Sequence, residues 1–390
     1  MSQVQKPTNL IFKKFTNSIK ILLIQSQIFG LVTFSLTETK FRPSKIRTAQ
    51  NVLTETVLLS VVVYFLYETV YDQKYPMISK GTAVLDFICG VVYLSAVWIK
   101  SLLNRDKFIK FLNKIVDFDM ILQENCRIVN YQKCKKGVTR RLLMNCLFMT
   151  AYILFYTVFT THNYNLYQRT GQCIGFVMSL VNSSTCSQTV ELVLILKMRF
   201  AILNQQIDDI VKYFETNRVN LVMHSSNVQD RALALGKICT LHHHLSKLVK
   251  LFNDTFGVIL VLMFGFSFMI ITTMLFYVTG EIETTMNWKS IIYVFMTGIC
   301  HIVDTLWVCD VCYSTAEEAT RTGELIHKIE TDDSEIIEEI EMFSLQMANQ
   351  KVEFSAAGFF PINYTLVFSI IGGVTTYIII LIQLAATLKE

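Results

Sequence analysis

The sequence predicts an all-α polytopic membrane protein with seven spanning helices, the N-terminus inside and the C-terminus outside, and a cytoplasmic helical bundle. Three observations carry that expectation. Hydrophobic residues make up 52% of the 390 residues and charged ones 17%, with a mean hydropathy of +0.42, whereas soluble domains carry about 25% charged residues. Apolar segments long enough to cross a hydrocarbon core of about 30 Å lie at 51–71, 81–99, 142–160, 172–198, 255–278, 290–312 and 358–384. Of the 35 Lys and Arg residues, only Lys74, Lys80, Arg169, Lys289 and Lys389 fall in the parts placed outside. Positive charge marks the cytoplasmic side.

Residues 1–50 are the cytoplasmic N-terminal part. After a polar, basic start, 21–36 (ILLIQSQIFGLVTFSL) is apolar but short, and it contains Gln25, Ser26, Gln27 and Gly30. It is expected to lie on the membrane or re-enter it rather than span it. No cleavable signal peptide is expected, because mixed residues precede the first apolar run. Residues 51–312 supply six spans with short outer and long inner loops. Leu233, Leu241, Leu245, Leu248 and Leu251 imply that the fourth and fifth spans continue as helices into the cytosol. Residues 313–357 form a cytoplasmic helical anchor. Within it, 334–351 is amphipathic through Ile336, Ile340, Phe343 and Met347, with Ser334 as its cap, and this apolar face is expected at subunit contacts. Residues 358–390 are the last span.

Ionisable groups inside spans are costly and therefore informative. Asp86 lies in the second span, Glu191 near the inner end of the fourth, where it can snorkel, and His301, Asp304 and Thr305 share one face of the sixth. Aromatic residues gather near the outer surface. Tyr67, Tyr156, Tyr277, Trp288 and Tyr293 either form an interfacial belt or, with Asp86, His162, Gln172, His301 and Asp304, line a small-molecule pocket. His242, His243 and His244 point about 100° apart on a helix and cannot share one metal, so a solvated face is expected and no metal site. Cys309 and Cys312 lack zinc-like partners. No nucleophile–base pair, P-loop or dinucleotide fingerprint appears, which argues against an enzyme, and neither cofactor nor nucleic acid is implied.

The last span, GFFPINYTLVFSIIGGVTTYIIILIQL, has no charged residue before Lys389. Pro361 suits a first helical turn. Thr365, Ser369, Gly372, Thr376, Gln383 and Thr387 fall within about 60° of each other on a helix, and only Ile380 interrupts them. Such a stripe is either a face for close helix packing or the wall of a water-filled path.

Thr376-Tyr377, five apolar residues, then Gln383-Leu384 resembles the C-terminal signature of the insect gustatory receptors, Thr-Tyr, five hydrophobics, Gln-Phe. Leu384 is the one departure. The resemblance implies a taste receptor of the sensory-neuron cell membrane that acts as a ligand-gated, non-selective channel for monovalent and divalent cations. It also implies a homotetramer, or a heteromer with related receptors, whose subunits are held together by a cytoplasmic helical bundle. The small tastant would bind in the outer half of the first six spans. Ser369, Gly372, Thr376, Ile380, Gln383 and Leu384 would then face the pore, with Leu384 closing it at rest and Gln383 lining it when open. A secondary transporter using Asp86, Glu191 and Asp304, or a metabotropic receptor, is the alternative.

Overall fold

The computed structural model describes residues 7–37, 40–71, 77–124, 128–160, 166–217, 225–284 and 288–387. The helices are α1 (Pro7–Ile28), α2 (Lys45–Tyr71), α3 (Met77–Leu103), α4 (Arg105–Glu124), α5 (Tyr131–Thr160), α6 (Leu166–Asn217), α7 (Ser225–Thr284), α8 (Trp288–Ile326), α9 (Ser334–Asn349) and α10 (Tyr364–Thr387). Two small antiparallel hairpins join them: β1 (Phe34–Leu36) with β2 (Phe41–Pro43), and β3 (Ser355–Ala356) with β4 (Phe360–Pro361).

Three long helices form the centre. At 1.5 Å per residue, the 52 residues of α6 and the 60 of α7 run roughly 78 and 90 Å. Each therefore continues unbroken well past its apolar segment. α8 packs along both of them, α3 and α4 pack on α7, and α1 fits between α4, α5 and α6. The lower part of this assembly is a true core, in which Phe111, Phe200, Phe252, Phe343 and Phe354 are fully buried. Among the described residues α7, α8 and α10 are each long and apolar enough to cross a membrane, and α3 with α4, bent by 60°, makes a fourth if taken as one span. α6 is less apolar than α7 and α8, and its middle reads Asn182-Ser183-Ser184-Thr185-Cys186-Ser187-Gln188-Thr189.

The α3–α4 bend is held at Asn104, whose side-chain amide donates to the Thr255 carbonyl at 2.7 Å. Beyond it, α4 presents Phe108, Phe111, Leu112 and Ile115 to α7, where Phe108 meets Phe256 at 5.0 Å between ring centroids.

The structure departs from the sequence-based expectations in five places. The 21–36 segment is not one unit: α1 ends at Ile28, the chain turns at Gly30 (φ 75°), and 34–36 is a strand. The turn's carbonyls are not left bare. Trp98 donates to Phe29 at 3.0 Å and Asn51 to Gly30 at 2.6 Å. Pro361 lies in β4, so the last helix starts only at Tyr364, with Asn363 Oδ1 accepting from the Thr365 amide at 2.9 Å. The cap of α9 is Asp333, which accepts from the amides of Glu335 and Ile336. The apolar face of α9 is closed within the chain: Ile336 and Phe343 are buried, and α9 packs on α7 and α8. That face is therefore unavailable to another subunit. Finally, His242 is no solvated residue. It is 1% exposed, lies between Phe200 and Phe343, and its Nε2 sits 3.2 Å from the Ala319 carbonyl.

Candidate functional site

The last helix presents three different faces. Leu366, Val367, Ile370, Gly373, Val374 and Tyr377 turn toward the rest of the chain, where α10 packs on α7 and α8. The fit is close at Gly373, where an added Cβ would stand 3.0 Å from the Phe268 ring, and Tyr377 meets that ring edge-on at 5.7 Å. The stripe of Thr365, Ser369, Gly372, Thr376 and Gln383 is exposed and lies roughly 130° around the helix from the packed face. Phe368, Ile371, Ile379 and Ile382 make a third, apolar exposed face between them. Ile380, which interrupts the stripe, is 51% exposed.

The stripe's hydroxyls bond within their own helix. Ser369 donates to the Thr365 carbonyl at 3.0 Å and Thr376 to the Gly372 carbonyl at 2.9 Å. They therefore need no partner from another helix, yet they keep oxygen atoms on the surface. The Gln383 side chain is exposed with them. Placing an exposed amide in hydrocarbon costs several kcal/mol in order of magnitude, so this face favours water or a second protein surface over lipid.

A second polar site lies inside the helical core. The side-chain amide of Asn182 on α6 reaches Asp304 Oδ2 at 3.5 Å and His301 Nδ1 at 3.4 Å, both on α8. Ser267 of α7 approaches the same imidazole nitrogen at 3.4 Å, and Phe266 packs edge-on against the ring. Asn182, His301 and Asp304 are all buried. These hydrogen bonds are long, and Asn182 Oδ1, Gln188 Nε2 and Thr305 Oγ1 have no partner among the described residues. Buried polar atoms left in that condition are where a water or a polar ligand gains most.

Two ion pairs lie below. Glu191, fully buried, takes a two-pronged contact from Arg141 at 2.5 and 2.7 Å, so it is paired across α5 and α6 rather than snorkelling. Deeper still, Arg199 grips Asp119 at 2.8 and 2.5 Å, while Tyr131 donates to the same carboxylate at 2.8 Å.

Of the predicted pocket residues that are described, His301 and Asp304 are brought together. Tyr67 is 59% exposed on α2. His162 and the side chains of Asp86, Tyr156, Gln172, Tyr277, Trp288, Tyr293 and Leu384 lie outside the described residues. Sequence reasoning missed Asn182, Ser267 and the Arg199–Asp119 pair. The signal was present for α6, where residues 181–193 are buried on every side although eight in a row are polar or thiol-bearing. A polar run inside an apolar helix marks one wrapped by other helices rather than by lipid. Among the described residues no group of His, Cys, Asp and Glu is placed to hold a metal.

Residues 19–387 match the family model described as 7tm chemosensory receptor. Two curated relatives in Drosophila melanogaster are the gustatory receptor for bitter taste 66a, 26% identical over 38% of this chain and 30% of the relative, and the gustatory and pheromone receptor 32a, 30% identical over 37% and 32%. The chain thus spans about a third of these relatives' length. The fold resembles the insect olfactory receptor OR5 of Machilis hrabei, solved with eugenol, at 14% identity and a TM-score of 0.62, covering 96% of this chain and 99% of that one.

Proposed function

We propose that this chain, which belongs to the 7tm chemosensory receptor family, is a taste receptor whose last helix lines a cation pore. Membership makes it a multi-pass membrane protein and not an enzyme. The channel reading rests on one observation, the exposed polar stripe of α10 turned away from the body of its own subunit. One striped helix cannot enclose water, so a pore needs several copies around an axis, and a homotetramer, or a heteromer with related receptors, is the assembly we infer. With seven spans, the N-terminus is inside and the C-terminus outside, in keeping with the charge split along the sequence.

The tastant binds between the outer halves of the helices, and the Asn182–His301–Asp304 cluster with its unpartnered atoms forms the polar floor of that pocket. At rest an apolar ring at Leu384 holds the pore dry, and rotation of α10 replaces it with the Gln383 amides, which substitute for the water around a cation. Because α9 closes its Ile336–Phe343 face inward, the subunits meet through what it leaves exposed, Ile337, Met342 and Leu345.

Cysteines placed at Thr376 and Gln383 test the pore. Water-soluble thiol reagents should block ligand-evoked current through both. If neither is modified while ligand is present, the stripe is a packing face and ions pass elsewhere.

A further inference from the structure

A cavity of about 710 Å³ lies apart from both sites above. It is an open groove at the foot of α2, walled by Pro43, Lys45, Ala49, Val52, Leu53 and Arg105. Its walls come from three elements held together by packing. The hairpin that carries Pro43 is fixed by the Phe34–Phe41 and Phe34–Phe108 ring contacts at 5.6 and 5.2 Å, and Phe108 belongs to α4, whose first residue is Arg105. The groove is therefore pre-shaped rather than a gap between loose parts.

Its chemistry is two-sided. At the mouth stand Lys45 and Arg105, and among the described residues no carboxylate lines the groove. Arg105 has only a 3.5 Å contact to its neighbour Asp106, which is 80% exposed. Lys45 also stands in the first turn of α2, at the helix end that already carries partial positive charge. The floor, by contrast, is mostly apolar, with Thr48 and Thr56 among Ala49, Val52 and Leu53, and the apolar surface continues along α2. Val52 is 49% exposed, Leu53 66% and Val57 56%, and Val61 carries the same track onward. From Val52 to Val61 the track runs roughly 14 Å along the helix axis. A positive mouth, in which Arg105 has a 3.5 Å contact to the exposed Asp106, leading into an exposed apolar track complements one kind of molecule in a membrane, an anion attached to a hydrocarbon chain. A free phosphate would use the mouth and leave the track bare.

We propose that this groove binds an anionic phospholipid of the cytoplasmic leaflet, with the head group between Lys45 and Arg105 and an acyl chain along Ala49, Leu53 and Val57. The bound lipid ties α2 to α4 across the hairpin. The leaflet assignment rests on the inside N-terminus inferred above. The binding itself does not, because it is set by the groove.

The full chain, purified in detergent, is titrated with phosphatidylserine and with phosphatidylcholine, and bound lipid is counted by native mass spectrometry. The wild type should prefer phosphatidylserine. Each basic contact to an anionic head group contributes about fivefold, so Lys45→Gln with Arg105→Gln should lower the preference by roughly 25-fold. Ala49→Trp, at an exposed position inside the groove, should reduce binding of both lipids there while leaving the fold intact, and it decides the matter alone if the double variant does not fold. Lys135→Gln with Lys136→Gln, exposed on α5, should change nothing. Unchanged preference in both groove variants would overturn the proposal. So would an equal loss in the α5 control, which would indicate a diffuse basic surface, or full competition by water-soluble glycerophosphoserine, which would indicate a site for a free phosphate. None of these readouts depends on channel activity or on membrane orientation, so the result stands apart from the fate of the pore reading.

Discussion

Arg199 should be the most damaging single position in the lower core to change. It is 1% exposed, its Nε and Nη2 atoms both donate to Asp119, its Nη1 donates to the Ile195 carbonyl at 2.7 Å, and its guanidinium lies 5.8 Å from the centre of the Phe15 ring. Arg199→Met keeps the length and apolar volume of the stem but leaves the Asp119 carboxylate buried, with the Tyr131 hydroxyl as its remaining donor. Removing one partner of a buried pair costs about 3–5 kcal/mol, against about 5–15 kcal/mol for the whole stability of a typical domain. The attraction that offsets desolvation is lost while the desolvation remains, so the penalty exceeds the net value of the intact pair. Asp119→Leu with Arg199→Met removes both charges and should recover most of the loss. The residue is about 1–3 kcal/mol for the Tyr131 hydroxyl left without its acceptor, and Tyr131→Phe removes that in turn. Size-exclusion chromatography of fluorescently tagged protein after graded heating reads the effect, with the single variant melting many degrees below wild type and the triple variant close to it. An Arg199→Met protein as heat-resistant as wild type would refute the reasoning.

Acid should weaken the cytoplasmic bundle through His242, whose pKa is pushed down to about 4 by burial. A neutral imidazole is favoured in the fold, so this stability is complete above the unfolded value near 6.5 and is lost as pH falls toward 4. That amounts to roughly 3 kcal/mol at the limit, and thermal shifts of wild type and His242→Gln between pH 7 and 5 should differ accordingly, with the variant the less sensitive of the two. On α9, Met342→Asp with Leu345→Asp should leave the subunit folded, since both side chains are more than 60% exposed, while native gels show loss of the assembled form; full assembly at wild-type yield would remove this face from the subunit contact. Asp304→Asn and His301→Ala should move the ligand dose–response midpoint about tenfold or more without changing single-channel conductance, as expected of groups that hold a ligand. Unchanged midpoints would return both residues to a purely structural role.

Much of the architecture was legible because apolar length is a strong signal. The segments at 51–71, 142–160 and 290–312 lie within α2, α5 and α8. What the sequence concealed shares one cause, namely that partners distant in the chain decide burial. Nothing near His242 foretells that Phe200, 42 positions earlier, and Phe343, 101 positions later, will enclose it. The inward turn of the α9 stripe comes from its packing on α7 and α8, which its own spacing does not specify, since an amphipathic helix can serve its own subunit or another. Asp333 won the capping position over Ser334 because its carboxylate accepts from two amides. For the candidate site, the spacing of His301 and Asp304 put them on one face, but Asn182 and Ser267 come from other helices and leave no mark on that spacing.

The strap leading into the last helix bears on how any gate could move. Ala357 and Gly358 turn at positive φ, 52° and 76°, and the turn presses so closely on α7 that a side chain at Gly257 would stand 2.5 Å from the Ala357 nitrogen. Asn253 secures the approach by donating to the Glu353 carbonyl at 2.8 Å and accepting from the Ser355 amide at 3.3 Å, while Phe354, Ala356 and Ile362 are buried. The lower end of α10 is thus anchored, and its freedom grows with distance from that anchor. Over a helix of 24 residues, roughly 36 Å long, a swing of about 5° displaces the far end by about 3 Å and the near end hardly at all. On the pore reading proposed above, a pinned rod with Gln383 near its far end would convert a slight lateral push from the neighbouring helices into about the width of a dehydrated ion. Loosening the pin, by Gly257→Ala for example, would dissipate that push at the hinge instead of delivering it to the tip.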